Sequence, residues 1–272
     1  MAIKLMYITN RTDVALIAES AGVDRIFIDM EYIGKSDRQG GMDTVQSHHT
    51  VDDIRAIRSV ITKSDIMVRV NPIHDGSKSE IDAVVAAGAD IIMLPYFKTA
   101  KEVKIFVDHV GGRAKTLPLV ETPEAVSVID EILEINGIDE IFVGLNDLSL
   151  GYGKKFMFEL LADGTVEALC LKFKQKGIPY GFGGLASLNG GMLPGSKVLT
   201  EHYRLGSTCV ILSRSFCNVN TVGDVNTVRE IFNKGVFEIR NFEIECASGE
   251  IDFVENQRQV KLAVSEILKK IG

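Results

Sequence analysis

Short apolar runs alternate with longer amphipathic segments along almost the whole sequence. Eight of the apolar runs have the length of buried parallel strands, and they lie at residues 4–8, 25–29, 66–70, 90–94, 116–120, 140–143, 179–182 and 208–212. Amphipathic helical patterns lie between them, for example at residues 50–62, 77–87, 99–110 and 123–135. Eight consecutive βα units favour an α/β fold, a TIM (β/α)8 barrel, over an open sheet.

The turns that lead from helix to strand share a pattern. AGVDRIFID, AGADIIMLP, NGIDEIFVG and LGSTCVILS each place a glycine two or three residues before a strand, at Gly22, Gly88, Gly137 and Gly206. A glycine at this point typically ends a helix in a left-handed conformation. The repeated pattern therefore predicts the αβ turns of a barrel.

Length and composition indicate one large domain, residues 1–272. A chain of 272 residues with 46% hydrophobic residues can bury one barrel core. A net charge of −7, without basic clusters, argues against a nucleic-acid partner. We find no apolar stretch of membrane-spanning length and no signal-peptide pattern, and the four cysteines lack metal-binding spacing. We therefore expect a cytoplasmic protein with no membrane partner.

The chain continues beyond the eighth strand. Residues 220–234 are predicted to form the eighth outer helix, residues 243–252 a polar connector, and residues 255–271 a further amphipathic helix. The C-terminal extension, about residues 238–272, packs either on its own barrel or on a neighbouring subunit. On this basis we expect a homo-oligomer.

Two carboxylates follow adjacent predicted strands. Glu121 comes after TLPLV and Asp147 shortly after EIFVG, so both project from the rim where TIM barrels carry their chemistry. Two carboxylates suit Mg²⁺ or Mn²⁺, with substrate and water as the remaining ligands. The structural alternative is that Glu121 caps the helix beginning near Pro123 and that Asp147 turns the chain before Leu148.

An arginine lies on the same rim. Arg69 stands among apolar residues in IMVRVN, and a buried guanidinium needs an anionic partner. That partner is a protein carboxylate such as Glu31, the oxygens of a bound oxoacid, or both.

These residues also carry a family resemblance. DMEY at 29–32, VRVN at 68–71, GADIIMLP at 88–95, ETPEA at 121–125 and GLNDLS at 144–149 resemble the HpcH/HpaI aldolase and citrate lyase β-subunit family. The resemblance implies a barrel of the phosphoenolpyruvate/pyruvate-binding type that makes or cleaves carbon–carbon bonds through a metal-stabilised pyruvate enolate. It also implies roles for individual residues. Glu121 and Asp147 would bind the metal, Arg69 would stabilise the enolate oxygen, and backbone N–H groups at Leu145, Asn146 and Asp147 would hold the substrate carboxylate. Glu31 would contact Arg69 or metal-bound water.

One position departs from the family pattern. Aldolases of this type carry a histidine acid/base group directly after the D-x-E residues, where this chain has Tyr32. The loop at 34–50 contains His48 and His49, which could replace the missing base because imidazole titrates near neutral pH. Alternatively, one of them caps the next helix and the other faces solvent. Lys35 and Arg38 of the same loop could meet an anionic substrate.

The predicted function is a divalent-metal-dependent aldolase that joins or splits pyruvate and an aldehyde. The alternatives are a citrate lyase-like enzyme acting on an acyl-CoA thioester and a non-catalytic oxoacid-binding or scaffold barrel. The glycines of YGFGG at 180–184 either let a phosphate approach the backbone after strand seven or merely make a tight turn.

Overall fold

The computed structural model describes residues 2–34 and 48–271. Eight parallel strands close into a barrel in sequential order, which confirms the predicted TIM barrel. The strands are β1 Lys4–Ile8, β2 Arg25–Asp29, β3 Asp65–Arg69, β4 Ile91–Leu94, β5 Lys115–Val120, β6 Ile141–Val143, β7 Tyr180–Leu185 and β8 Cys209–Leu212. The predicted bounds hold to within one residue, except that β7 continues to Leu185.

Helices surround the barrel. The described ones are α1 Thr12–Ala21, α2 Val51–Arg58, α3 Ser77–Ala86, α4 Ala100–Val110, α5 Pro123–Ser127, α6 Ile129–Leu133, α7 Leu145–Gly151, α8 Glu159–Ala162, α9 Thr165–Lys176, α10 Gly195–Leu205, α11 Val219–Val222, α12 Val225–Ser248 and α13 Phe253–Ile271. None of these helices is long and apolar enough to cross a membrane.

Local chemistry explains where the helices begin and end. Thr50, Thr99 and Thr122 cap α2, α4 and α5 by accepting a hydrogen bond from a backbone N–H in the first turn. The four glycines of the αβ turns all have positive φ angles, from 76° at Gly206 to 103° at Gly88. The sequence pattern therefore identified these turns correctly.

The period of two along each strand sorts side chains into two layers. Inward-facing residues pack on one another inside the barrel, and they are Met6, Phe27, Met67, Ile91, Met93, Leu117, Leu119, Phe142 and Cys209. A larger apolar layer fills the space between strands and helices. The next inward-facing positions toward the C-terminal ends of these strands are Asp29, Arg69, Glu121 and Ser213. The pleat of the strands thus determines which polar side chains enter the site.

A buried ion pair lies inside the barrel at its N-terminal end. Arg25 Nη1 and Nη2 donate to the two carboxylate oxygens of Glu140 at 2.8 and 2.6 Å. Arg25 begins β2 and Glu140 immediately precedes β6, four strands away, so the pair spans the barrel. Burial alone disfavours the charged carboxylate, but the hydrogen bonds and charge of Arg25 outweigh it and lower the pKa of Glu140.

Three helix predictions were wrong. The segment predicted as the eighth outer helix, residues 220–234, is divided at Gly223 and Asp224 into α11 and α12. The segment predicted as a single helix at 123–135 is divided at Val128 into α5 and α6. The predicted polar connector at 243–252 is mostly helical, because α12 continues to Ser248. Glu243 is buried there and accepts hydrogen bonds from the Ile3 backbone and from Arg240, at 2.6 and 2.7 Å. A polar residue that suggested a connector is therefore a satisfied contact of a packed helix.

The last helix packs on its own chain along one face. α13 contacts α10 and α8, and it buries Val260, Val264 and Ile267. Val254 and Leu262 of the same helix remain exposed. The intrachain contact corresponds to the first of the two arrangements considered for the C-terminal extension.

Candidate active site

A cavity of about 390 Å³ opens at the C-terminal ends of the strands. Its lining brings together five residues that the sequence had singled out, namely Arg69, Glu121, Leu145, Asn146 and Asp147. A larger surface depression of about 590 Å³ lies between α8 and α13, away from the strand ends. The cavity at the strand ends is the better candidate, because buried ionisable groups converge there on the catalytic face of the fold.

Arg69 is held by two acids, Asp29 at the end of β2 and Glu31 just after it. Its Nε and Nη2 atoms donate to the two carboxylate oxygens of Asp29, both at 2.8 Å, and Nε lies 3.4 Å from Glu31 Oε2. Burial opposes the charged guanidinium, but these acids, together with Glu121, raise the pKa of Arg69 further above its ordinary value. Arg69 is therefore a fixed positive charge. Glu31 is a partner, as expected from the sequence, but the two-pronged contact is with Asp29.

Glu121 lies buried in the cavity wall. Its Oε1 atom accepts a hydrogen bond from the backbone N–H of Tyr96 at 2.9 Å. Burial raises the pKa of this carboxyl to about 8; the Arg69 charge opposes the rise, whereas the charges of Asp147 and Glu31 add to it. Without a bound metal ion, this environment therefore favours the neutral form of the Glu121 carboxyl.

The residues next to Glu121 have unusual backbone requirements. Tyr96 has a φ angle of 47°, and it is the one non-glycine residue with a positive φ in the described part of the chain. A Cβ atom on Gly144 would lie 2.9 Å from Glu121 Oε2, so a larger residue there would push the carboxylate away. Strained backbone of this kind is found at functional sites, where the surrounding structure maintains it.

Asp147 lies in the first turn of α7, so the alternative that it merely turns the chain is wrong. The preceding Gly144 offers no side-chain cap. The first N–H groups of a helix have no intrahelical acceptor, and those of Leu145, Asn146 and Asp147 belong to residues that line the cavity. The alternative role of Glu121 as a helix cap is also wrong, because Thr122 caps α5.

The donor set at Glu121 and Asp147 fits a hard divalent cation. Mg²⁺ is commonly held by one or two carboxylates, with water and substrate oxygens completing its octahedron. The charge of Asp147 contributes to the raised pKa of Glu121, and a cation between two acids would relieve that repulsion. Within residues 2–34 and 48–271, no group of three or more His, Cys, Asp or Glu side chains is arranged to hold a metal. A site with two protein ligands, open to substrate, is consistent with these residues.

The two candidate histidines differ in position. His49 is half-buried, and its Nδ1 atom accepts the backbone N–H of Asp29 at 3.0 Å. In the neutral ring the hydrogen then lies on Nε2, so Nε2 can donate a hydrogen bond. His48 is exposed. Neither histidine caps α2, because Thr50 does so in a capping box with Asp53.

Tyr32 does not replace the family histidine inside the cavity, since its side chain is 67% exposed. Lys35 and Arg38 lie outside the described residues. Lys98, which follows β4, forms a solvent-exposed ion pair with Glu124 at 3.0 Å.

Sequence reasoning missed several site residues. Asn71 was noted only as part of VRVN, but its Oδ1 atom accepts the backbone N–H groups of Tyr32 and Ile33, both at 3.0 Å. Its Nδ2 atom donates to Glu80 on α3 at 2.7 Å. Asn71 thus fixes the segment that carries Glu31, and such a bridge between two loops leaves no periodic signal in the sequence.

The sequence analysis also did not identify the residues that line the cavity after β8. Arg214 and Ser215 line it beside Ser213, and the run SRS directly after β8 was the available signal. Met157 lines the cavity as well.

Comparison with known proteins now identifies the class. A model of the HpcH/HpaI aldolase/citrate lyase family matches residues 4–162, more than half of the sequence. The chain therefore belongs to the HpcH/HpaI aldolase/citrate lyase family, a family of lyases. A search of curated proteins found no match.

Solved structures support the fold. The chain is similar to an HpcH/HpaI aldolase from Desulfitobacterium hafniense DCB-2, with 16% identity and a TM-score of 0.62 over 84% of this chain and 93% of that one. It is also similar to an HpcH/HpaI aldolase/citrate lyase family protein from Burkholderia cenocepacia J2315, with 17% identity and a TM-score of 0.60 over 84% and 95% of the two chains. At this level of identity the likeness concerns the fold alone.

Proposed function

We propose that this protein is a divalent-metal-dependent carbon–carbon lyase that forms or cleaves a 2-oxoacid of the pyruvate type, with an aldehyde as the second reactant. The observation that carries the proposal is the convergence of Arg69, Glu121 and Asp147 on one cavity at the catalytic end of the barrel. Mg²⁺ or Mn²⁺ is the ion that this donor set suits. The bound ion would supply positive charge where negative charge develops on the oxoacid oxygen.

The chain's own residues then have distinct roles. Arg69, fixed by Asp29 and Glu31, presents a permanent positive charge to the same oxygen. The N–H groups at Leu145, Asn146 and Asp147 would bind the oxoacid carboxylate. The interaction of Arg69 with this oxygen strengthens as the enolate charge grows, so it lowers the activation free energy for proton removal or bond cleavage, whereas the N–H groups would hold the substrate in position.

Proton transfer requires an additional group. We assign His48 and His49 as the candidates, because the phenol of Tyr32 is a poor base at neutral pH. His49 accepts the Asp29 backbone N–H at Nδ1, which leaves its Nε2–H to donate a hydrogen bond to the aldehyde oxygen. His48 is the candidate base.

We further propose that the protein acts in the cytoplasm as a homo-oligomer. The exposed apolar residues of the outer helices, among them Phe237 and Ile244, provide surface for contact between subunits.

The function is tested by incubating chelator-treated protein with pyruvate and a panel of aldehydes, with and without added Mg²⁺ or Mn²⁺, and detecting 4-hydroxy-2-oxoacids by mass spectrometry. We expect product only with metal, and loss of product in Glu121→Gln but not in Glu230→Gln, which changes an exposed glutamate on α12. Parallel reactions with acetyl-CoA and an oxoacid test the thioester alternative. Product that requires coenzyme A, or that forms after complete removal of metal, would contradict the proposal.

A further inference from the structure

A chain of hydrogen bonds runs from the loop before α3 to the segment that follows β2. Its outer end is His74, whose side chain is 32% exposed. His74 Nδ1 accepts the backbone N–H of Gly76 at 3.1 Å, so in the neutral ring the hydrogen lies on Nε2. Nε2 lies 3.2 Å from Glu80 Oε2 and donates to it. The backbone at Gly76 therefore selects the tautomer that binds Glu80.

Glu80 in turn determines how the Asn71 side chain is oriented. Its Oε1 atom accepts Asn71 Nδ2 at 2.7 Å and the Asn71 backbone N–H at 3.2 Å. An amide that donates Nδ2 to a carboxylate presents its Oδ1 atom on the other side, toward the backbone N–H groups of Tyr32 and Ile33. The reverse orientation would bring Nδ2 against these two donors. Asn71 is buried, so water cannot compensate for that mismatch.

The segment that Asn71 holds carries Glu31. Glu31 is buried, and its Oε2 atom lies 3.4 Å from Arg69 Nε. Its charge contributes to the raised pKa of both Arg69 and Glu121. The position of this one carboxylate therefore affects the electrostatics of two residues that line the cavity.

We propose that Glu80, oriented by His74, is a positioning residue of the active site: through Asn71 it holds Glu31 beside Arg69. This proposal rests on the proposed lyase function and adds to it the residues that support the Arg69 charge from outside the cavity. Disrupting the path should lower the rate rather than the substrate affinity. Arg69 acts on the charge that develops in the enolate, whereas the N–H groups of α7 hold the substrate carboxylate.

The positioning is measured first without turnover, by the nitrogen–proton NMR correlation of Arg69 Nε–H, which lies beside both acids. Glu31→Gln shows how this signal responds when the Glu31 charge is lost. We expect Glu80→Ala to move the signal in the same direction. Glu80→Gln should leave it near its wild-type position, because glutamine keeps an acceptor oxygen for Asn71. The matched control is Glu19→Ala, which removes a carboxylate that accepts three backbone N–H groups before the other end of β3.

His74 is tested by the same signal. His74→Leu removes the donor to Glu80 and should shift the Arg69 signal in the direction seen in Glu80→Ala. His74→Gln keeps an amide donor and should leave the signal near its wild-type position. An Arg69 signal that is unchanged in His74→Leu would overturn the role of His74.

Rates of metal-dependent pyruvate proton exchange show whether Glu80 acts through Glu31. Glu80→Ala should lower kcat about tenfold with little change in KM, whereas Glu19→Ala should change neither. In a Glu31→Gln background, Glu80→Ala should have no further effect on kcat, because its effect passes through the carboxylate already lost. A purely structural role would lower kcat by the same factor in both backgrounds.

The two measurements separate this proposal from the lyase function. An Arg69 signal unchanged in Glu80→Ala, or a loss of rate that is the same with and without the Glu31 carboxylate, would overturn the positioning role and leave the lyase function intact. If the wild-type protein exchanges no pyruvate protons while the Arg69 signal shifts as expected, the lyase function fails and the placement of Glu31 by Glu80 stands.

Discussion

At the scale of single residues, Glu121 shows how position changes chemistry. A glutamate with an ordinary pKa would be ionised at neutral pH, but burial raises the pKa of this one to about 8. Burial disfavours its charged form, and a divalent cation bound beside it would favour that form. The sequence identified Glu121 as a candidate ligand because it follows a strand, but it could not reveal the altered pKa, which depends on burial and on Arg69, Asp147 and Glu31 from other parts of the chain.

The raised pKa predicts how stability depends on pH in metal-free protein. Because the folded pKa lies above the ordinary 4.5, the contribution of Glu121 to stability is full below about pH 4.5 and is lost as pH rises to about 8. The side chain of Glu121→Gln cannot ionise, so this variant does not lose that contribution. Its free energy of unfolding, relative to that of the wild-type protein, should therefore increase between pH 5 and pH 8. Urea unfolding of chelator-treated proteins measures this, with Glu230→Gln as control. Parallel pH profiles would show that Glu121 titrates normally.

Arg69 provides a second prediction at this scale. Lysine keeps the positive charge but cannot donate to both oxygens of Asp29 while facing the cavity. We expect Arg69→Lys to fold and to lower the rate of metal-dependent pyruvate proton exchange at least about tenfold. Arg55→Lys, on the exposed face of α2, should have no effect. Full activity in Arg69→Lys would mean that Arg69 only supports the barrel.

At the scale of secondary structure elements, the strands and the αβ turns were predictable from sequence, whereas some helix bounds and the contacts between loops were not. Buried parallel strands are short apolar runs, which the sequence displays directly, and glycines mark where each strand follows a helix. α12 was misjudged because Glu243 is buried by contacts with the Ile3 backbone and Arg240, residues that lie on another element or one turn away. The bridge through Asn71 was missed for the same reason.

This bridge gives a prediction for the segment after β2. Asn71→Ala removes the acceptor for two backbone N–H groups and should destabilise the protein by about 1–3 kcal/mol. Hydrogen exchange at Tyr32 and Ile33 should accelerate, because these amides lose their partner. The matched control is Asn226→Ala on the exposed face of α12. Unchanged exchange at both amides would show that other contacts hold this segment.

At the scale of the whole molecule, the candidate site and the buried ion pair lie at opposite ends of the barrel axis. The C-terminal end carries the cavity, and the N-terminal end carries the buried Arg25–Glu140 pair. Eight βα units were enough to predict this architecture from sequence. The sequence did not predict the pair, because its two residues come from strands on opposite sides of the barrel.

The ion pair should contribute to stability and remain separate from the chemistry. Glu140→Gln leaves the Arg25 charge buried without its counterion, and we expect a loss of about 3–5 kcal/mol in the free energy of unfolding. The double variant Arg25→Met with Glu140→Leu should lose less than Glu140→Gln, since no charge is left buried. Urea unfolding of the three proteins decides this. A double variant less stable than the single variant would contradict the account.

A barrel that binds a divalent metal at Glu121 and Asp147 and forms an enolate from a pyruvate-type oxoacid, as proposed, should exchange the methyl protons of pyruvate with solvent. Proton NMR of the pyruvate methyl signal in D₂O, in the presence of the protein, with and without Mg²⁺ or Mn²⁺, measures this exchange directly. We expect metal-dependent loss of the signal, abolished in Glu121→Gln and retained in Glu230→Gln. A signal that persists in the wild-type protein with metal, while pyruvate still binds, would contradict it.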